Sequence, residues 1–194
     1  MKRIGVFGGS FNPPGIHHRL VAENLLALGC VDQLMILPCG QRKDKPLVGN
    51  PDRKNMVELA FANLPGCVVN SFNIDLDSFT SNFKYEAMFK CLGEIWHIIG
   101  SDQIINAHAK ISVIHVRWEN GDWVFNNLKF IVVERPGYEI SPTDLPPHST
   151  VLRLLIKGSS TQIRDDISVN NHTDMLPKEV LSYISERRLY GIVR

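Results

Sequence analysis

The chain has 194 residues, of which 44% are hydrophobic, enough to bury a sizeable core within one domain. Its 21 lysine and arginine residues nearly balance its 20 aspartate and glutamate residues, which gives a net charge of +1 at pH 7. This balance excludes a strong positive field over the whole chain, so neither a nucleic acid nor a membrane is an expected partner.

Short apolar segments bounded by glycine, proline, asparagine or charged residues predict buried strands. They are Ile4–Phe7, Leu34–Leu37, Val68–Phe72, Ile95–Ile99, Phe130–Val133 and Val151–Leu154. Helical spacing lies between them, from Leu20 to Leu28 with an end at Gly29, and from Met56 to Phe61 with an end near Pro65. This alternation predicts an α/β fold of the Rossmann-like kind: a doubly wound, mostly parallel sheet with helices on both faces.

Three further segments complete the prediction of one domain over residues 1–194. Residues 106–127 combine an apolar run with the turn-forming sequence Glu-Asn-Gly-Asp and suggest a hairpin-like excursion. Residues 136–147 contain four prolines and predict an extended loop. Pro177 to Arg188 predicts an amphipathic helix, so a C-terminal helical part, about 159–194, should pack on the rest. The oligomeric state stays open, with a homo-oligomer as one alternative.

The four cysteines, at positions 30, 39, 67 and 91, are too widely spaced for a Cys-x-x-Cys metal knuckle or redox pair. We interpret them as reduced, small apolar residues. Lys2 and Arg3 are followed by only four residues before Gly-Gly, which does not match a secretory signal. These observations predict a cytoplasmic protein.

Residues 8–18, Gly-Gly-Ser-Phe-Asn-Pro-Pro-Gly-Ile-His-His, are the most informative stretch for function. They follow the first predicted strand and precede a helix, and glycines there let the main chain approach an anion that the helix N-terminus attracts. In a doubly wound sheet this loop lies where ligands bind. The stretch is neither G-x-G-x-x-G nor a P-loop, because no Gly-Lys-Ser/Thr follows.

Several motifs, in order, resemble the bacterial nicotinate mononucleotide adenylyltransferases of the (H/T)xGH nucleotidyltransferase superfamily. Gly-Gly-Ser-Phe-Asn-Pro-Pro at 8–14 and Ser-Ser-Thr-Gln-Ile-Arg at 159–164 carry most of the resemblance. Weaker matches lie at 37–38 with Lys45, 52–56, 100–102, 134–138 and 176–180 running to 189–190.

The resemblance implies transfer of the adenylyl group of ATP to nicotinate or nicotinamide mononucleotide, with release of pyrophosphate. Positioning and charge stabilisation would be the main contributions of the protein. Mg²⁺ would arrive with ATP and be held mainly by substrate, so no metal-binding cage of protein residues is expected. Two alternatives remain: another phosphorylated acceptor, such as phosphopantetheine, and a nucleotide-binding module that has lost turnover.

The resemblance assigns ATP contacts to Gly8, Gly9, Ser10, Phe11, His18, Lys45, Gly100, Asp102, Ser159, Ser160, Thr161 and Arg164. His18 would donate to an α- or β-phosphate oxygen, and Arg164 would reach the triphosphate from one turn into a late helix.

Each of these assignments has a structural alternative. His18 could pack on the sheet, and Ser160 could be an ordinary N-cap. Lys45 could be a solvated loop residue, and Asp102 could cap a helix that begins near Gln103.

The main departure from the family pattern is the missing first histidine of H-x-G-H. Gly15, Ile16, His17 and His18 occupy those positions. Residue 17 is rotated about 100° from residue 18 on a helix, so we expect His17 to point elsewhere. His17 nevertheless stands beside His18 and Arg164 as a candidate catalytic residue, because a helix that starts late would bring it to the phosphate.

The acceptor pocket is the part that the resemblance defines least. The family's threonine and aromatic element corresponds here to residues 78–85, which makes Thr80 a candidate for the pyridine mononucleotide. Asn12 and Trp118 are the other candidates, although a tryptophan in this position could equally belong to the core.

Overall fold

The computed structural model describes residues 1–154 and 158–192, and within them six strands form one parallel sheet in the order β3-β2-β1-β4-β5-β6. The strands are β1 (Arg3–Gly9), β2 (Gln33–Pro38), β3 (Cys67–Val69), β4 (Glu94–Gly100), β5 (Phe130–Val133) and β6 (Ser149–Leu152). The chain builds outward from β1 to β3, then returns to the other side of β1 and builds outward again. The strand order therefore reverses between β1 and β4, which confirms the predicted doubly wound sheet and defines its switch point.

The helices of the described residues cover both faces of the sheet. They are α1 (Ile16–Ala27), α2 (Asn50–Ala60), α3 (Phe72–Asp75), α4 (Asn82–Phe89), α5 (Val113–Arg117), α6 (Gly121–Asn127), α7 (Ser160–Asn170) and α8 (Lys178–Arg187). On one face, Leu25 of α1 and Met56 of α2 share a buried cluster with Ile98 of β4. On the other face, Tyr85 of α4 packs in a cluster with Val6 of β1. Residues that alternate along the strands thus contribute to hydrophobic cores on both faces, as expected for a sheet buried on both sides.

Two strand predictions need correction at their ends. The predicted strand 68–72 ends at Val69, because the side chain of Asn70 accepts a hydrogen bond from the Phe72 N–H at 3.2 Å and turns the chain into α3. The predicted strand 151–154 lies two residues earlier, at Ser149–Leu152. Its register follows β5, which offers partners only from Phe130 to Val133.

The hairpin-like excursion at 106–127 is wrong, since this region forms α5 and α6. Within the apolar run, Ile114 is fully buried while Ile111 and Val116 are each 61% exposed. Burial of one residue in several is a helical pattern and not the alternation of a strand. The predicted turn does exist, but Asn120, with φ 54°, joins two helices there.

The remaining segments follow the sequence closely. The helix end at Gly29 is confirmed by its left-handed φ of 64°, directly after the C-cap of α1. Residues 136–147 form a loop with one short 3-10 turn at Pro142–Asp144. Pro177 is the N-cap of α8 and not a residue of its first turn. Residues 193–194 of the predicted C-terminal part lie outside the described residues. None of the described helices is long and apolar enough to cross a membrane.

Candidate active site

The loop after β1 is held in place by a buried aromatic side chain. β1 extends to Gly9, so Gly8 and Gly9 pair with β2 and belong to the strand end instead of the loop. Phe11 follows with a left-handed φ of 46°, which is strained for a residue with a side chain. Its ring is 2% exposed and meets the His18 ring at a centroid distance of 5.0 Å. Packing of Phe11 therefore sets the path of the chain toward α1.

Arg53 of α2 fixes the loops that leave β1 and β2. Its guanidinium is fully buried and donates to the carbonyl oxygens of Ser10 at 2.9 Å and Cys39 at 2.7 Å. It also donates to Oδ1 of Asn50 at 2.5 Å and to the Val48 carbonyl at 3.3 Å. One cation thus ties together main-chain segments at the carboxyl ends of two neighbouring strands.

The entry to α7 is in direct contact with the loop after β1. The hydroxyl of Ser160 donates to the Pro13 carbonyl at 2.8 Å, and Arg164 Nη1 donates to the Asn12 carbonyl at the same distance. Arg164 Nη2 also donates to the hydroxyl of Thr161 at 3.1 Å. Two stretches about 150 residues apart in sequence, residues 10–18 and 159–164, therefore meet at the switch point of the sheet.

The N-cap of α7 is Ser159, so the alternative that Ser160 is an ordinary N-cap is wrong. The Ser159 hydroxyl accepts from the Gln162 N–H at 3.1 Å. Ser160 is the first residue of the helix, and its hydroxyl is already used to bind the loop. The side chain of Asn12 is equally occupied: Oδ1 accepts from the Val48 N–H and from the Tyr190 hydroxyl.

His18 faces the loop with one ring nitrogen already committed. Its Nδ1 accepts a hydrogen bond from the Gly15 N–H at 3.0 Å, so the neutral ring carries its proton on Nε2. Gly15 is the N-cap of α1, and the first N–H of that helix, at Ile16, donates to the Met175 carbonyl. The helix N-terminus is therefore partly closed by the protein, and His18 Nε2–H is a well-defined donor in this region.

His17 lies against His18, so the expectation that it points elsewhere is wrong. The two rings are 3.9 Å apart between centroids, with 39° between their planes. Side chains early in a helix lean back over the preceding turn. Because Gly15 leaves that space open, the His17 ring folds into it and reaches the neighbourhood of His18.

Both imidazoles are neutral near pH 7. Burial, reinforced by the Arg135 charge, lowers the pKa of His17 to about 4. Burial, then the charges of His17 and Arg135, hold the pKa of His18 well below its usual range. An anion bound here would counter the effect of these charges and favour N–H donation from both rings.

Four basic side chains surround the loop. Arg135 acts on the pKa of both histidines, and Arg164 and Arg42 act on that of Lys45. Partial burial, then the Arg42 and Arg164 charges, lower the pKa of the Lys45 ammonium. Acidic partners offset only some of this charge, since Asp44 pairs with Arg42 at 2.6 Å and Asp102 with Arg135 at 3.0 Å. Although the net charge of the chain is almost zero, positive charge is therefore concentrated where the two stretches that resemble phosphate-binding motifs, residues 10–18 and 159–164, meet.

Asp102 and Gly100 stand at the end of β4. Asp102 lies inside a 3-10 turn whose N-cap is Gly100, so the alternative that Asp102 caps a following helix is wrong. Its carboxylate accepts from Arg135 and from Gln103 Nε2, the latter at 2.5 Å. A β-carbon at Gly100 would lie 2.7 Å from Arg135 Nε, so a side chain at this position would displace the Arg135–Asp102 pair from its present geometry.

The candidates for acceptor binding do not all lie together. Thr80 donates its hydroxyl proton to Asn73 Oδ1 at 2.7 Å, and Trp118 packs against the core cluster of α5 and α6. A hydrogen bond of 2.6 Å between Ser81 and Glu119 brings their two loops side by side. In the part of the chain that the structure describes, no hydrogen bond joins these loops to His17 or His18.

Sequence reasoning missed Arg135 and Arg53 as residues of this region. Arg135 comes two residues after β5, so the rule that parallel strands end at one edge could have identified it. Arg53 lies on α2, and its burial depends on loops from two other elements. No pattern within α2 indicates that an arginine there would be wholly enclosed.

The arrangement can bind a polyphosphate through charge and fixed N–H donors. It offers no protein cage for a cation, since residues 1–154 and 158–192 contain no group of three or more His, Cys, Asp or Glu side chains placed to hold a metal. Around His18 the described residues show no Ser–His or Cys–His contact of the kind a covalent catalyst uses, and His18 Nδ1 accepts from the Gly15 N–H.

Comparison with known proteins agrees with this geometry. Residues 6–168 match the cytidylyltransferase-like family. Over 97% of its length the chain is 30% identical to a probable nicotinate-nucleotide adenylyltransferase of Lactiplantibacillus plantarum and covers 88% of that protein. It is 26% identical to the nicotinate-nucleotide adenylyltransferase of Bacillus subtilis, over 98% of this chain and 99% of the other. Its fold is similar to that of Plasmodium falciparum nicotinic acid mononucleotide adenylyltransferase complexed with NaAD, with a TM-score of 0.81 and 20% identity over 98% of both chains.

Proposed function

The chain belongs to the cytidylyltransferase-like family and, within it, to the nicotinate-nucleotide adenylyltransferases, and we propose that it transfers the adenylyl group of ATP to nicotinate mononucleotide. The products are the dinucleotide, an intermediate of NAD biosynthesis, and pyrophosphate. The observation that carries this function is the contact between residues 10–18 and 159–164, which surrounds one point of the sheet edge with imidazole and guanidinium groups.

ATP binds with its triphosphate between the β1 loop and the entry to α7. A β-carbon at Gly8 would meet no atom within 4 Å, so the end of β1 borders open space that a phosphate can enter. His18 donates its Nε2 proton to an α- or β-phosphate oxygen, and Arg164 and Lys45 supply charge from the flanking segments. Main-chain N–H groups of Gly9, Ser10 and Phe11, with those of Ser159, Ser160 and Thr161 at the entry to α7, complete the proposed ATP contacts. Gly100 and Asp102 lie on the ribose side.

The chemistry needs alignment more than a protein nucleophile. A phosphate oxygen of the mononucleotide attacks the α-phosphorus of ATP, and the bond from that phosphorus to the bridging oxygen breaks. Pyrophosphate leaves with the electron pair, and negative charge grows on the oxygens beside His18. Fixed donors aimed at this charge lower the barrier, because they need no reorganisation during the reaction.

The site fits a divalent cation that would be held mainly by the nucleotide. The carboxylate of Asp102 is already engaged by Arg135, and the loop is lined by basic groups, so the protein fits a cation held by phosphate oxygens and not by its own side chains. When bound, Mg²⁺ would neutralise charge on the departing pyrophosphate.

The acceptor binds toward the loops that carry Thr80 and Trp118, with Asn12 behind the phosphate. The adjacency of these two loops, through Ser81 and Glu119, supports one pocket wall built from both. Trp118 offers an aromatic surface for a pyridine ring at the edge of its cluster. Four free cysteines support a reducing, cytoplasmic setting for the enzyme.

The test is an assay of purified protein with ATP, Mg²⁺ and nicotinate mononucleotide that measures both pyrophosphate and dinucleotide. Nicotinamide mononucleotide and phosphopantetheine serve as competing acceptors at matched concentration. We expect the highest kcat/KM with the nicotinate compound and a loss of about a hundredfold in His18→Ala. If pyrophosphate formation does not exceed that of His18→Ala while ATP still binds, the protein is a nucleotide-binding module and the proposed transfer is wrong.

A further inference from the structure

The space beside Gly15 is filled by the side chain of another residue. A β-carbon built at Gly15 would lie 2.5 Å from Nδ1 and 2.6 Å from Cε1 of His17, and 2.6 Å from Cδ1 of Ile163. The φ of Gly15 is −95°, a value open to any residue, so space and not backbone conformation favours glycine here. A side chain at position 15 would require the His17 ring and the end of the Ile163 side chain to move.

The His17 ring carries a polar atom for which the protein provides nothing. Within the described residues, His17 Nδ1 is a buried side-chain nitrogen without a hydrogen-bond partner. Leaving such a buried group unsatisfied is unfavourable, so a partner supplied by a ligand would be gained at this position. His18 shows the contrast, because its own Nδ1 is bonded to the Gly15 N–H. The protein orients one imidazole of the pair and leaves the other with a free ring nitrogen.

The surroundings of that nitrogen suit an anion. The ring is held between His18, at 3.9 Å, and the glycine at 158, whose absent β-carbon would lie 3.8 Å from Nδ1. Gly158 immediately precedes the Ser159 cap and has a φ of 109°, which favours glycine; a β-carbon there would lie 2.9 Å from Met175 Sδ, so the main chain packs closely against Met175 beside the ring. Arg135 adds positive charge from the end of β5. Two adjacent imidazoles in contact with each other and an arginine favour one negatively charged group beside the pair.

We propose, on the basis of the adenylyl transfer above, that His17 is a second triphosphate-binding histidine. Relative to the H-x-G-H pattern, glycine and histidine have exchanged positions 15 and 17, and each replacement depends on the other. His17 reaches, from position 17, the space that a histidine at position 15 would occupy in an H-x-G-H sequence, and Gly15 keeps that space open. His17 and His18 then form a pair of N–H donors to the phosphate oxygens. The chain thereby retains two imidazoles in the loop although its sequence has lost the first histidine of the pattern.

The exchange is testable by reversing it. His17→Gly removes the second donor, and Gly15→His makes two side chains compete for one space. Gly15→His with His17→Gly restores the H-x-G-H order, with only the end of the Ile163 side chain left to turn away from the new β-carbon. We expect kcat to fall about a hundredfold in His17→Gly. Gly15→His should be as impaired or more so, whereas the double variant should recover to within about tenfold of wild type. The matched control is His148→Gly. His148 is exposed and directly precedes β6, so it lies at the amino ends of the parallel strands, whereas the site lies at their carboxyl ends.

Two outcomes overturn the proposal. One is wild-type kcat and KM for ATP in His17→Gly, and the other is a double variant no more active than His17→Gly while both melt at the wild-type temperature. If a variant does not fold, histidine ¹⁵N resonances of the wild-type protein decide. Titration with a non-hydrolysable ATP analogue should shift the His17 ring signals, and unchanged signals at saturation would refute the contact. Wild-type turnover tests the adenylyl transfer separately, so failure of the exchange leaves that function standing.

Discussion

Acid should destabilise the substrate-free protein through His17. In the folded chain its pKa is lowered to about 4, chiefly by burial, whereas an unfolded histidine titrates near 6.5. Between these values the unfolded state binds the extra proton and the folded state does not. Stability contributed by neutral His17 is therefore complete above pH 6.5 and is lost as the pH falls from about 6.5 to about 4.

The size of the effect follows from the shift. A difference of about 2.5 pKa units, at about 1.4 kcal/mol per unit, corresponds to roughly 3.5 kcal/mol over the full window. Acidification from pH 7 to pH 4.5 covers most of that window and should cost about 2 kcal/mol. His18 acts in the same direction, so the whole protein should lose more than His17 alone accounts for.

The assay compares wild type with His17→Asn by urea unfolding at several pH values, without nucleotide or phosphate. Substitution can shift stability by a constant amount, but the difference between the two proteins should change by about 2 kcal/mol between pH 7 and pH 4.5. His148→Asn, at an exposed position, should follow the wild-type curve. A difference that stays constant within about 0.5 kcal/mol would show that His17 is not buried as a neutral imidazole.

Substitutions at two arginines distinguish a residue that binds ATP from one that stabilises the fold. Arg164→Lys should raise the KM for ATP about tenfold in steady-state assays, because lysine keeps the charge but lacks the planar guanidinium, which donates to the Asn12 carbonyl through one nitrogen and to the Thr161 hydroxyl through the other. An unchanged KM would mean that Arg164 serves only the contact with the loop. Arg53→Met should lower the free energy of unfolding by roughly 3 kcal/mol, since several buried main-chain carbonyls lose their donor. Urea unfolding measures this, and a loss below about 1 kcal/mol would refute a structural role for the buried guanidinium.

The sheet could be predicted from the sequence because its strands are nearly continuous apolar runs. β1, β2, β4 and β5 lie within two residues of their predicted ends, since both faces are buried and most of their positions are apolar or small. β3 and β6 are edge strands, and their ends depend on neighbours, namely the Asn70 turn and the length of β5. The segment 106–127 failed for a related reason: helical burial of Ile114 is set by contacts with the sheet and cannot be read from a short apolar run.

The meeting of the β1 loop with the α7 entry was predictable in outline from strand order. Parallel strands end at one edge, so motifs that follow different strands converge there. The partners of each side chain were not predictable in this way. Asn12, expected to touch the acceptor, is held by Val48 and Tyr190, and Ser160 is bound to Pro13. These contacts use residues from distant parts of the chain, which a local pattern does not contain.

The two histidines show that the position of a motif side chain depends on the volume around it as well as on its spacing in the sequence. Helical geometry places residues 17 and 18 about 100° apart, and that reasoning is sound for the Cα–Cβ directions. It omits the cavity created by Gly15, into which a long side chain can turn back. A glycine two positions away thus decides where the His17 ring lies, and a rearranged sequence can present the same chemical groups. Reading such a motif therefore requires asking which side chains compete for one volume as well as which residue types are present.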